Sequence, residues 1–152
     1  MQSKCAANYS NAALARVEAL KSGYDEAIML NSSGKVAEGS AENIFIIKNG
    51  IIKTPPLNAD ILNGITRDGV IQLIKSSGIK LIEKNITVKE LLKADEVFMT
   101  GTAAEVKSVT KINKTTIGNG KIGNITKTLQ KSFMGVVMGK DQKFASWLRY
   151  LP

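Results

Sequence analysis

Apolar and polar positions alternate between two periods along this chain. The clearest local pattern lies in "NIFIIKNGIIKT", where two apolar runs flank Asn49-Gly50. Asn-Gly between apolar runs predicts an antiparallel hairpin, because both residues accept the positive φ that a tight turn needs. Residues 8 to 22, "NYSNAALARVEALKS", carry Ala, Leu and Val at helical spacing with Arg16 and Glu18 off that stripe, and Gly23 supplies the stop. "EAIMLN" (26 to 31) reads as a short strand, turned by "SSG". "PPLNADILNG" reads as an irregular loop broken by Pro55, Pro56 and Gly64. Val70, Ile71, Leu73 and Ile74 predict a helix over 66–77 that ends at Gly78. "IKLIEKNI" reads as a strand, and "TVKELLKA" as a short helix opened by Thr87 and Glu90 in capping-box spacing. "EVFMTG" predicts a buried strand leading into "TAAEV", and a further strand follows around "KSVTKI". "NKTTIGNGK" is rich in turn residues, 125 to 138 form a last helix, and the tail carries Trp147 and Tyr150. Strands and helices mix without strict alternation, which predicts a mixed-sheet α/β domain rather than a doubly wound one.

Composition narrows this picture. The 152 residues suit one domain, and 43% hydrophobic against 5% aromatic content predicts an aliphatic core. The net charge of +8 comes from eighteen lysines and only three arginines. These lysines are scattered, without an arginine block or interleaved aromatics, which reads as a solvated surface rather than a nucleic-acid site. Cys5 is the single cysteine, so no intrachain disulfide forms and a reducing cytoplasmic setting is expected. The absence of histidine excludes histidine triads and histidine-ligated metals. No run approaches the roughly 20 apolar residues of a membrane span, and "MQSKC" lacks the apolar core of a signal peptide.

Three stretches place small or hydroxylated residues beside apolar runs: "EGSAEN" (38–43), "LNGITRD" (62–68) and "MTGTAAE" (99–105). In the first, an acid sits in a loop of small residues. In the second, Gly64 allows close backbone approach and Thr66 stands at a helix start, where unpaired N–H groups suit a phosphate. In the third, Gly101 and Thr102 offer a further hydroxyl and more N–H groups. Each has a plain alternative taken singly: Thr66 as a helix N-cap, Gly101-Thr102 as a turn, Glu38 as a solvated loop tip.

With the start of the chain these stretches form a specific combination. "KCAANYSNAALA", "AEGSAENIF", "LNGITRD" and "DEVFMTGTAAEV", in this order, closely resemble the C-terminal half of class IV (fold-type IV) pyridoxal-phosphate aminotransferases, the branched-chain amino acid aminotransferases in particular. The resemblance covers nearly the whole chain. It implies the large, cofactor-binding domain of that fold, a mixed-sheet pseudo-barrel with flanking helices, over residues 1–152. It implies pyridoxal 5'-phosphate as cofactor, and transamination of a branched-chain amino acid with 2-oxoglutarate in two ping-pong halves. By resemblance, Lys4 bonds covalently to the cofactor, Tyr9 hydrogen-bonds its phenolic oxygen, and Glu38 faces its pyridine nitrogen. Ile65 and Thr66, with Thr102, hold the phosphate, and Thr102 and Ala103 meet the substrate carboxylate. Glu42 is given a structural role, bracing the loop or pairing with a base. "EGSAEN", with an acid at its fifth position, is more similar to the branched-chain group than to the D-amino acid transaminases.

The implied chemistry gives these residues a purpose. A carboxylate beside the pyridine nitrogen favours the protonated ring, the better electron sink when an amino acid loses its α-proton. A lysine amine freed by the substrate carries that proton as base and then as acid. Family members also carry an N-terminal domain ahead of the lysine, which supplies an arginine for the phosphate and much of the substrate pocket. The chain is therefore expected to be a truncated chain, a partial gene or one half of a split enzyme. Alone it is expected to bind the cofactor weakly and turn over poorly, the whole enzyme being a dimer or larger homo-oligomer. Ala6-Ala7 stand where the family often has glycines. The D-amino acid transaminase and aminodeoxychorismate lyase branches of the same fold stand as alternatives. From another class stands a basic binding module that has lost catalysis. Outside the resemblance, Arg67 is expected to pair with Asp68 or another local acid, Asp95-Glu96 to mark a strand entry, and Trp147 to anchor the tail.

Overall fold

A computed structural model describes residues 9–149. Helix α1 (Ser10–Lys21) leads into strands β1 (Ile28–Leu30), β2 (Val36–Gly39), β3 (Asn43–Lys48) and β4 (Ile51–Thr54). Helix α2 (Ile65–Ser76), strand β5 (Leu81–Glu83), helix α3 (Val88–Leu92), and strands β6 (Glu96–Gly101) and β7 (Glu105–Val109) follow. The short strands β8 (Lys111–Ile112) and β9 (Thr115–Thr116) and helix α4 (Asn124–Val137) complete the core, and a 3-10 segment spans Gln142–Trp147.

A five-stranded sheet in the order β5-β4-β3-β6-β7 is the frame. Its pairs are antiparallel except β4 with β5, which run parallel, so the sheet is mixed as expected. The hairpin turns where the sequence puts it, with Asn49 at φ 51° and Gly50 at φ 73°. Strand β3 is central, and residues 43–47 are all buried. Its alternating side chains divide the core into two layers. Phe45 and Ile47, with Phe98 of β6, pack under α2 and α4 against Val70, Ile74 and Leu129. Ile44 and Ile46, with Met99, face Val36, Ile86, Leu91 and Ile117 on the other side. Phe45 and Phe98 stack with ring centroids 4.8 Å apart. Smaller antiparallel pairs, β1 with β2 and β8 with β9, lie outside the main sheet.

Several expectations change. The segment around Glu38 is not a loop: residues 36–39 form β2, paired with β1. The strand read over 79–86 is regular only at 81–83, although Ile86 still bridges to Val36. Helix α1 forms but buries none of its residues, and Leu14, Val17 and Leu20 are exposed. Arg67 does not pair with its neighbour Asp68, which holds Gln72 instead. The Arg67 guanidinium is buried, donates to Pro55 O (3.0 Å), and meets Glu83 across 2.7 Å. Asp95 accepts from Lys48 and from the Asn49 N–H, bracing the hairpin turn. Glu96 accepts from the Ile125 and Thr126 N–H groups (3.2 and 2.8 Å), a negative charge on the positive end of α4. Trp147 packs on Phe144 and over Gly69, as an anchor of the tail should.

The capping box is present in full: Thr87 Oγ1 accepts from Glu90 N (3.1 Å), and the Glu90 carboxylate accepts from Thr87 N (3.0 Å). The Thr87 N–H and then Lys84 hold Glu90 well below the ordinary carboxylate value of 4.5, at about 2. Thr87→Ala is expected to lower the unfolding free energy by about 1 kcal/mol in a denaturant titration at neutral pH. The folded-state value is depressed, so the Glu90 contribution is complete above pH 4.5 and disappears as pH falls towards 2.

Candidate active site

The three singled-out stretches meet at one end of the sheet. Glu38 lies on β2, half-buried, and Leu62 N and Asn43 Nδ2 both donate to its Oε2, each at 3.0 Å. The same Asn43 amide donates to Leu62 O at 2.8 Å. Glu38 is thus tied to the segment that opens α2, while its Oε1 receives no hydrogen bond from the described residues. Gly64 is the N-cap of α2, at φ −74° and ψ 134°, and no side chain caps that end. Thr66 is therefore the second residue of the helix, not its cap. Ile65 is 91% exposed, so it offers the site its backbone rather than its side chain. The free N–H groups of this first turn point out at the positive end of the helix dipole.

The third stretch is pressed against the first. A Cβ on Gly101 would meet Glu42 Cγ at 3.1 Å and Ala41 O at 3.3 Å, and Thr100 pairs in register with Asn43. Thr102 and Ala103 are exposed in the turn that follows. Glu42 accepts from Ala41 N (3.2 Å), consistent with a brace of its own loop. Its partner acid Glu26 accepts from Ser40 N (3.2 Å) and meets Arg16 of α1 at 3.5 Å, which ties the first helix to the same loop. Tyr9, half-buried, is the N-cap residue of α1. Lys4 lies outside the described residues, as do Cys5, Ala6 and Ala7.

Electrostatics and orphaned atoms mark the same place. Burial pushes the Glu38 carboxyl up to about 7, against one backbone hydrogen bond from Leu62 that pulls it down, and the negative Glu42 adds to the rise. Burial and then the charge of Glu26 raise Glu42 as well. Among the described residues, the buried side-chain polar atoms without a hydrogen-bond partner are Ser40 Oγ, Arg67 Nε and Thr100 Oγ1. One falls in each of the three stretches, but the Ser40 hydroxyl lies against the Glu26 carboxylate and the Arg67 guanidinium turns to Pro55 and Glu83, so Thr100 Oγ1 is the one open to a polar ligand. No group of three or more His, Cys, Asp or Glu among the described residues could hold a metal ion. No helix there is long and apolar enough to cross a membrane.

Asn43, Leu62 and Ser40 carry roles that sequence reasoning did not assign. Asn43 had a signal, a lone amide opening a run of fully apolar strand positions. The Leu62 contribution is a main-chain N–H, which no residue type announces.

Residues 4–112 match the family described as "Amino-transferase class IV". The chain belongs to the class IV aminotransferases. A class IV relative from Aquifex aeolicus, named "Probable branched-chain-amino-acid aminotransferase", is 57% identical over 95% of this chain and 47% of its own length. The branched-chain-amino-acid aminotransferase of Pseudomonas aeruginosa is 50% identical over 91% of this chain and 45% of its own. Among solved structures, a T.th. branched-chain amino acid aminotransferase complexed with N-(5'-phosphopyridoxyl)-L-glutamate superposes with a TM-score of 0.95 at 42% identity, over 98% of this chain and 50% of that one. The enzyme of Thermoproteus uzoniensis with norvaline gives 0.94 at 46% identity, over 97% and 49%. The chain spans about half the length of these relatives. The mixed sheet with flanking helices is thus the class IV fold.

The raised Glu38 carboxyl has a consequence for stability. Between pH 4.5, its ordinary value, and about 7 the folded chain holds a proton that the unfolded chain has released. Stability therefore declines as pH rises through this window and levels off above it. Denaturant midpoints measured from pH 4 to 8 should show a component of this decline that Glu38→Gln removes.

Proposed function

We propose that the chain is the cofactor-binding half of a pyridoxal-phosphate-dependent branched-chain aminotransferase. It would pass the amino group of a branched-chain amino acid to 2-oxoglutarate, in the cytoplasm and within a homo-oligomer. The observation that carries this reading is the clamp on Glu38. Among the described residues one carboxyl oxygen is fixed by two donors and the other by none, and one of those donors, Leu62 N, lies just ahead of the N-terminus of a 12-residue helix that no side chain caps there. An acid and an anion-binding helix end at fixed separation fit a ligand with a basic nitrogen and a phosphate. The buried Thr100 hydroxyl, without a partner among the described residues and paired in register with Asn43, fits a polar ligand too. Solved relatives that hold a phosphopyridoxyl compound or pyridoxamine 5'-phosphate supply the identity of that ligand.

When bound, the cofactor supplies a conjugated ring that accepts the electron pair left by a departing α-proton. The chain supplies the rest. The Ile65 and Thr66 N–H groups, with the hydroxyls of Thr66 and Thr102, hold the phosphate. Glu38 Oε1 would face the ring nitrogen, where the negative form of the carboxyl favours the protonated ring. The Tyr9 hydroxyl orients the ring through its phenolic oxygen. Lys4 would anchor the cofactor and, once the substrate has displaced its amine, carry a proton between the substrate α-carbon and the cofactor's C4′ carbon, as base and then as acid. Thr102 and Ala103 orient the substrate carboxylate through the exposed turn after β6. Residues 1–152 act as one domain on this reading, and the remaining half of a full-length enzyme completes the substrate pocket.

Titration of the purified chain with pyridoxal phosphate tests this reading. An absorption band of lysine-bound cofactor is expected, and it should be lost in Lys4→Ala. Thr66→Val and Thr102→Val should each weaken cofactor binding roughly 3- to 10-fold, the value of one hydrogen bond. Absence of any cofactor binding, together with a salt-sensitive shift of nucleic acid on a gel, would instead support a basic binding module.

A further inference from the structure

We propose that Asn43 is a positioning residue that holds the acid Glu38 and the N-terminus of α2 at one fixed spacing. It rests on the reading that Glu38 serves the ring nitrogen and the helix end serves the phosphate. The argument begins with the amide itself. Asn43 is buried, at 4% exposure, and opens the central strand β3, the strand held on both sides by partners. Both hydrogens of its Nδ2 are engaged, one by Glu38 Oε2 and one by Leu62 O. Both partners are acceptors, so the amide can only present its nitrogen to them. Leu62 N closes the circle by donating to the same Glu38 oxygen. The other end of the amide, Oδ1, lies where a Cβ on Gly64 would be, so the N-cap of α2 rests directly on it.

Other residue types fail at this position for stated reasons. Asp has no donor and would set a second carboxylate against Glu38. Ser is too short to reach two partners, and Gln is one methylene too long for the packed N-cap. A buried asparagine whose role was only to satisfy Leu62 O would need neither the contact with Glu38 nor the bare Gly64. The three contacts together make Asn43 a spacer between two functional groups that have no covalent reason to keep their distance.

The first test needs no cofactor. In the chain labelled with carbon-13 at glutamate side chains and with nitrogen-15, Glu38 is titrated by NMR. In the wild type the amides of Leu62 and Gly64 should both move with the Glu38 midpoint. In Asn43→Ser the Leu62 amide should still follow, the Gly64 amide should stop following, and the midpoint should rise by roughly one to two pH units for the lost donor. A Gly64 amide that tracks Glu38 as before in Asn43→Ser overturns the proposal. If Asn43→Ser does not fold, Gly64→Ala probes the same coupling from the other side: its methyl displaces the amide, and an unchanged Glu38 midpoint in that variant overturns the proposal equally. A second arm separates this inference from the reading it rests on. If Glu38→Gln leaves the absorption of bound pyridoxal phosphate unaltered, the ring-acid reading fails. If Glu38→Gln alters it while Gly64 is indifferent to Asn43, the positioning inference alone fails.

Discussion

A carboxyl group drawn out of water must find donors or give up its charge, and at Glu38 the protein settles between these. Among the described residues two N–H groups reach one oxygen and none reaches the other, and burial pushes the group up to about 7. Everything about the candidate site depends on this arrangement being rigid. The acid comes from β2, one donor from the loop before α2, and the other from the first residue of β3. Two neighbouring strands and a segment about twenty residues further on are thereby fixed to one another, by two hydrogen bonds to a single carboxyl and a third from Asn43 to Leu62 O.

Close approach is what lets those segments meet. Gly64 gives its missing side chain's space to the Asn43 amide, and Gly101 gives its own to Glu42 and Ala41. Neither glycine has a positive φ, so steric room, not backbone freedom, explains them. The buried Arg67 adds a further tie, since one guanidinium on the first turn of α2 holds both the Pro55 carbonyl and Glu83 at the end of β5. The helix end that would receive an anion is thus braced from both the loop before it and the strand after it. Among the described residues the same packing leaves the buried Thr100 Oγ1 of β6 without a partner, a cost that a bound polar ligand would remove.

Local signals in the sequence translated into structure wherever the cause was local. The Asn49-Gly50 turn, the Thr87–Glu90 box and the apolar stripe of α2 each depend on residues within four positions of one another, and each formed within a residue or two of its expected place. What escaped depends on partners far along the chain. Glu38 looked like a loop residue because small neighbours break the alternation that marks a strand, and only pairing with β1 makes β2. Arg67 reached Glu83, sixteen positions away, past an adjacent acid. Glu96 caps a helix that begins 28 residues later, at Asn124. Of the site, the three stretches were legible and the amide that joins two of them was not, because a hub is defined by what it touches. The apolar stripe of α1 was legible as a helix but not as an unburied one, for helical spacing says nothing about whether a facing surface exists.

Among the described residues no further strand pairs with either margin of the main sheet, and that has a bearing on how the chain behaves in a crowded solution. One margin is the three-residue β5, bracketed by Lys80 and Lys84, and the other is β7, whose Glu105 and Lys107 face outward. A margin this short, or studded with charge, gives an incoming strand few hydrogen bonds and an electrostatic barrier. With a net charge of +8 the copies also repel one another at a distance. The lysines that gave no indication of a nucleic-acid partner thus find a use as colloidal protection, keeping an exposed β-edge from seeding a fibre.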